Sequence, residues 1–174
     1  MRRKPMRGTI QTRGILITIG IAGCLVSGAA WAEFDADEVR SALYGLHTHQ
    51  AELAELARER AGRDEVAQLA STLERDHGIL EEWLVEADDG RDAPPGEPTG
   101  AVHDRDAFDA LAELEGEAFD AAFLAYQVEL HTAAIEYLER NRPQGDEQLD
   151  EFHNHLFVTH ETLLVNGELV DSLR

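Results

Sequence analysis

Apolar residues recur along this chain at spacings of three and four, in four long stretches separated by Gly- and Pro-rich punctuation. That period belongs to amphipathic helices rather than strands. The first helix is predicted from Ala36 to Ala61, with Asp35 as its N-cap and Val39, Ala42, Leu43, Leu46, His49, Leu53 and Leu56 facing inward. Gly62-Arg63-Asp64 breaks the pattern, Gly62 ending one helix and Asp64 capping the next. The second runs from Glu65 to Ala87, with Val66, Leu69, Ala70, Leu73, His77, Leu80 and Leu84 inward. So short a turn makes the two an antiparallel pair.

Asp88 to Gly100 holds Pro94, Pro95 and Pro98 and reads as a loop long enough to cross the bundle. A short helix follows from Asp104 to Leu114, ended by Gly116. The third long helix runs from Glu117 to Arg140 and is the most apolar, with Phe119, Phe123, Leu124, Tyr126, Val128, Leu130, Ile135, Tyr137 and Leu138. Pro143 and Gly145 turn the chain into the fourth, Asp146 to Leu173, with Leu149, Phe152, Leu156, Leu163 and Val170 inward. Two antiparallel hairpins joined by a long crossover between helices 2 and 3 give an all-α, antiparallel, ferritin-like four-helix bundle.

The bundle begins after residue 32. Arg2, Arg3, Lys4, Arg7 and Arg13 precede an apolar run from Ile15 to Val26 and a small-residue end at Ala30-Trp31-Ala32. This is the layout of a secretory signal, so residues 1–32 are expected to be a signal peptide cleaved before Glu33, and residues 33–174 the domain. The run is short for a membrane span, and no second one exists, so the mature chain is expected to lack a transmembrane segment. Ile21-Ala22-Gly23-Cys24 also resembles a lipobox, and Cys24 is the single cysteine. The alternative to release into the periplasm is therefore a lipid anchor at Cys24. The residues after it stay apolar up to an Ala-x-Ala site, which favours ordinary cleavage.

Charge narrows the partners. The leader holds five of the fifteen basic residues and no acids, leaving thirty-five acids against ten bases in the rest, all ten of them arginine. Such a surface repels nucleic acid and anionic headgroups and attracts cations. Acid excess without lysine is also the pattern of adaptation to high salt.

All eight histidines lie beyond the leader. At 100° per residue, His49, His77, His131, His153 and His160 fall on inward arcs, His47 on a flank and His155 outward, with His103 in the crossover. At about 1.5 Å per residue, His49, His77, His131 and His160 reach similar depths on four helices. Imidazole suits zinc, copper, iron and nickel, and bundle cores are where facing helices assemble such sites. The histidines at matching depth, His49, His77, His131 and His160, are therefore the candidate metal ligands, with His153 as an addition and Asp76 or Glu74 as a ligand or an orienting neighbour. The competing reading is a buried polar layer that fixes helix register.

A di-iron carboxylate site needs two Glu-x-x-His units, and only Glu74/His77 qualifies. Cys-x-x-Cys-His, a P-loop and a Ser/His/Asp set are absent from the sequence. Catalysis is therefore not expected.

Several segments stand out together: Glu52-Leu53-Ala54-Glu55-Leu56-Ala57, Asp76-His77, Gly116-Glu117-Ala118-Phe119-Asp120 with Phe123, Val128 and His131, and His160-Glu161-Thr162-Leu163. In that order and spacing they resemble one bacterial family, domain of unknown function 4142. The resemblance runs from about Phe34 to Leu169. It implies an exported ferritin-like bundle of unsettled activity, with recurrent histidines at His77, His131 and His160. The function expected is an exported envelope protein that binds a transition metal ion, namely copper, iron or zinc. The alternative is a structural or interaction module with an envelope protein partner.

Overall fold

A computed structural model describes residues 35–86, 105–141 and 150–174. Among them are five helices: α1 (Ala36–Arg60), α2 (Asp64–Glu86), α3 (Arg105–Ala112), α4 (Gly116–Asn141) and α5 (Glu151–Asp171). The protein is all-α, as the periodicity predicts. The described residues belong to one unit, Glu33–Arg174. The leader, Cys24, Trp31, the Pro-rich loop, His103 and the Pro143–Gly145 turn lie outside the described residues.

Asp35 caps α1, its carboxylate accepting from the Asp37 and Glu38 N–H groups at 3.1 Å. Acids in the first turn and Arg58 and Arg60 in the last oppose the helix dipole favourably. The turn into α2 is tight because two backbones nearly touch. A Cβ on Gly62 would lie 2.8 Å from backbone atoms of Gly116, so only glycine fits without displacement. Gly116 opens α4 with φ +61°, a conformation that costs glycine little. The Gly62 N–H then donates to Asp120 Oδ1 at 3.0 Å, fastening this corner to α4.

The four long helices form a ring in which α1 packs on α2 and α4, and α5 packs on the same two. Arg60 pairs with Glu115 at 2.7 Å, and Arg63 donates to the Leu173 carbonyl at 3.3 Å. These contacts gather the end of α1 and the starts of α2 and α4 with the end of α5. At the opposite end, Trp83 Nε1 donates to Glu151 at 3.4 Å, joining the end of α2 to the start of α5. Each long helix therefore runs antiparallel to both neighbours. α3 lies against α4 and meets α1 through Phe108, whose ring is 5.0 Å from that of His49.

The apolar residues predicted for α2 are buried, as are nearly all of those predicted for α1 and α4; Leu56, Val128 and Ile135 pack at the edge of the core. Burial of such side chains contributes about 1.5–3 kcal/mol each. Inside this core, Gln50 and Gln127 exchange two amide hydrogen bonds at 3.0 Å and tie α1 to α4 at one register.

Candidate functional site: a buried histidine layer

Four imidazoles, one from each long helix, lie in a row through the core: His131 on α4, His77 on α2, His47 on α1 and His155 on α5. All are at most 2% exposed. Their rings meet edge to face, with centroids 6.0 Å apart for His131–His77, 5.1 Å for His77–His47 and 6.1 Å for His47–His155.

The hydrogen bonds assign protons along the row. His131 Nδ1 donates to the Gln127 carbonyl at 2.8 Å, so its Nε2 holds a lone pair in the neutral ring. His47 and His77 face each other through Nδ1 at 3.0 Å, one donating and the other accepting. One of these two rings therefore has a lone pair at Nε2 and the other an N–H. His155 is satisfied on both sides, with Nε2 donating to the Leu80 carbonyl at 2.9 Å and Nδ1 accepting from Thr159 at 3.3 Å. The Nε2 atoms of His47, His77 and His131 are buried with no hydrogen-bond partner.

Burial favours the neutral form of all four rings. Burial pushes His47 down to about 3, with the neighbouring His155 adding to the effect. Burial also holds His77 well below the ordinary range, reinforced by His47 and His131. His131 is lowered by burial against the opposing pull of the Gln127 carbonyl. His155 is lowered by burial and, to a smaller extent, by Arg40, against its bond to Leu80. Neutral imidazole is the form that binds metals.

The expected ligand set divides. His77 and His131 come together. His49 lies apart, bonded through Nε2 to the Tyr126 hydroxyl at 2.7 Å and through Nδ1 to Glu52 at 3.2 Å. His153 completes a capping box with Asp150, the N-cap of α5: its N–H donates to Asp150 Oδ1 at 2.9 Å and its Nδ1 lies 2.6 Å from the same oxygen. His160 stands between Glu139 at 3.7 Å and Glu161 at 3.4 Å, at the bundle edge. Asp76 is taken by Arg75 at 2.8 Å and Glu74 by Arg58 at 2.7 Å. Among the described residues, no group of three or more His, Cys, Asp or Glu side chains is placed to hold an ion as the side chains stand.

Two members of the row correct the expectation. His47 belongs to the layer rather than a flank because α1 is covered by both α2 and α4, which widens its buried arc to Arg40, Gly45 and Gln50. His155 points inward because the buried stripe of α5 runs Phe152, His155, Thr159, Leu163, Asn166 and Val170. The apolar members of that stripe, Phe152, Leu156, Leu163 and Val170, face inward as the pattern predicts, but its three polar members escape a hydrophobicity pattern. Its spacing of three and four, counted without regard to polarity, is the signal that would have found it. Trp83, expected in the core, lies half-buried beside α5.

The chain matches the family described as Domain of unknown function (DUF4142) over residues 27–156. It belongs to that family. Among solved structures, it is similar to a protein from Streptomyces coelicolor described as a secreted DUF305 protein, with TM-score 0.64 and 15% identity over 80% of this chain and 91% of that one. At that identity the likeness concerns the fold. No curated protein matches the chain. No helix among the described residues is long and apolar enough to cross a membrane.

Proposed function

We propose that this DUF4142 protein is an exported, non-enzymatic cell-envelope protein whose histidine layer binds a transition metal ion: copper, iron or zinc. The observation that carries the reading is the set of three buried Nε2 atoms, on His47, His77 and His131, without partners. A buried polar atom left unpaired costs about 1–3 kcal/mol, and an ion is one of the agents that removes such a cost. At least two of these nitrogens hold lone pairs. Opening the His47–His77 hydrogen bond frees a third, so binding proceeds with a swing of those rings. His155 orients its neighbours. His49 and His153 are engaged elsewhere, and His160 lies at the bundle edge beside Glu139 and Glu161, outside the row; none of the three belongs to the proposed site.

Export rests on the basic leader, the apolar run and the Ala-x-Ala end. Release into the periplasm requires a mature N-terminus at Glu33; intact-mass measurement finding acylated Cys24 would replace it with a membrane tether.

The test is elemental analysis of untagged protein recovered from the periplasm, with a His77→Ala/His131→Ala variant alongside. About one equivalent of one metal in the wild type, absent from the variant, is the expected result. No metal in either, after incubation with each ion in turn, would overturn the reading. The layer would then be polar architecture in a structural or interaction module, a reading favoured by the complete satisfaction of His155 and the His47–His77 bond.

A further inference from the structure

α5 buries Phe152, Leu156, Leu163 and Val170, yet it also buries polar residues and leaves large apolar ones exposed. His155, Thr159 and Asn166 face the core, while Phe157 is 63% and Val165 57% exposed, joined by Val158, Leu164 and Leu169. Ile79 on α2 is 59% exposed beside them. Between the two helices runs a groove of about 630 Å³, lined by Ile79, Leu80, Trp83, Phe157, Val158 and Val165, among others. Its ionisable lining is acidic, Asp76 and Glu161, and Asp76 already holds Arg75. Asn166 also lines it, and neither atom of that fully buried amide has a hydrogen-bond partner.

An apolar groove on so acidic a chain selects its occupant by charge. The formal charge of −20 sets a second copy, an acidic protein or an anionic membrane at a disadvantage. It favours a partner that brings apolar anchors together with basic flanks. The groove lies between two antiparallel helices, the form that accepts the apolar face of a third. Val158, Thr162, Val165 and Leu169 are spaced four, three and four, which supplies a ridge along one wall. The Asn166 amide, one donor and one acceptor, suits a polar side chain set among the anchors, as a buried Asn fixes register between paired helices.

We infer that the α2/α5 groove is the docking site for a basic amphipathic helix of another polypeptide, read by Ile79, Trp83, Phe157 and Val165, with Asn166 fixing its register. The inference is independent of the histidine layer, and metal-free protein serves to test it.

Trp83 is the one tryptophan from Glu33 onward, so its emission reports directly on the groove. The probe is a synthetic helical peptide with leucine on one face and lysine on the other, titrated into exported protein and compared with a leucine/glutamate counterpart. The expected result is a blue shift of Trp83 and binding at least tenfold tighter than the counterpart. An Ile79→Glu/Phe157→Glu variant is expected to bind at least tenfold more weakly, although it adds two negative charges to attract lysine. Asn166→Leu is expected to bind several-fold more weakly while melting no lower than the wild type. Equal or tighter binding by the glutamate variant would reduce the effect to surface charge and overturn the proposal. So would absence of binding by the wild type, a sedimenting dimer that the variant dissolves, or preference for vesicles of phosphatidylglycerol over the peptide.

Discussion

His47, His77, His131 and His155 touch one another, carbonyls and a hydroxyl; His49, His153 and His160 each stand against a carboxylate. The first group occupies the seam where all four long helices meet, and its members are kept neutral by burial. The second lies apart from that seam, His49 itself buried, and its carboxylate partners Glu52, Asp150 and Glu139 are 49–64% exposed. One residue type thus serves two purposes within one bundle. What decides between them is whether water reaches the partner, and not depth along the helix.

Acidification separates the groups most strongly. The layer histidines have folded-state pKa values below their unfolded value near 6.5, so the unfolded chain takes up protons first. Stability of metal-free protein is therefore full above about pH 6.5 and is lost as pH falls toward the folded values, about 3 for His47. A layer histidine contributes a slope of at most about 1.4 kcal/mol per pH unit, and only between its unfolded pKa and its own lowered folded one. Urea unfolding at pH 7, 6, 5 and 4 measures it, and a flat profile would place water around the layer.

His77→Ala is expected to cost about 2–4 kcal/mol, because it opens a cavity and strands His47 Nδ1. His49→Phe removes the hydrogen bond to Tyr126 and is expected to cost about 1 kcal/mol. Chemical denaturation of the two variants in parallel should give that order, and equality would erase the distinction between layer and edge. The smallest effect is expected at the cap, where His153→Ala costs about 0.5–1 kcal/mol and frays the start of α5. Amide exchange there should quicken without change near His77.

Much of this fold is legible in the sequence because α1, α2 and α4 keep apolar residues inside. Asp35 caps as its position predicts, and every inward residue predicted on α2 is buried. α5 follows that logic only in part. Its predicted inward residues Phe152, Leu156, Leu163 and Val170 are buried, but His155, Thr159 and Asn166 share their face while Phe157 and Val165 lie outside, and the heptad spacing of His153 and His160 draws attention to the wrong edge. Asp76 is taken by Arg75, its neighbour in sequence, whereas the pairing of Glu74 with Arg58 on α1 is a tertiary fact that position along α2 does not encode. His47 was hidden for another reason: a helix covered on two sides buries a wider arc than its leucines outline.

The paired amides of Gln50 and Gln127 constrain how such a sequence can change over generations. Either glutamine replaced alone leaves its mate buried with a donor and an acceptor unmet, whereas two leucines together would fill the same space at little net cost. Every single step away from the pair leads downhill in stability, although the double step does not. The two positions are therefore expected to persist together or to be exchanged together, recording in sequence that α1 and α4 have kept one alignment.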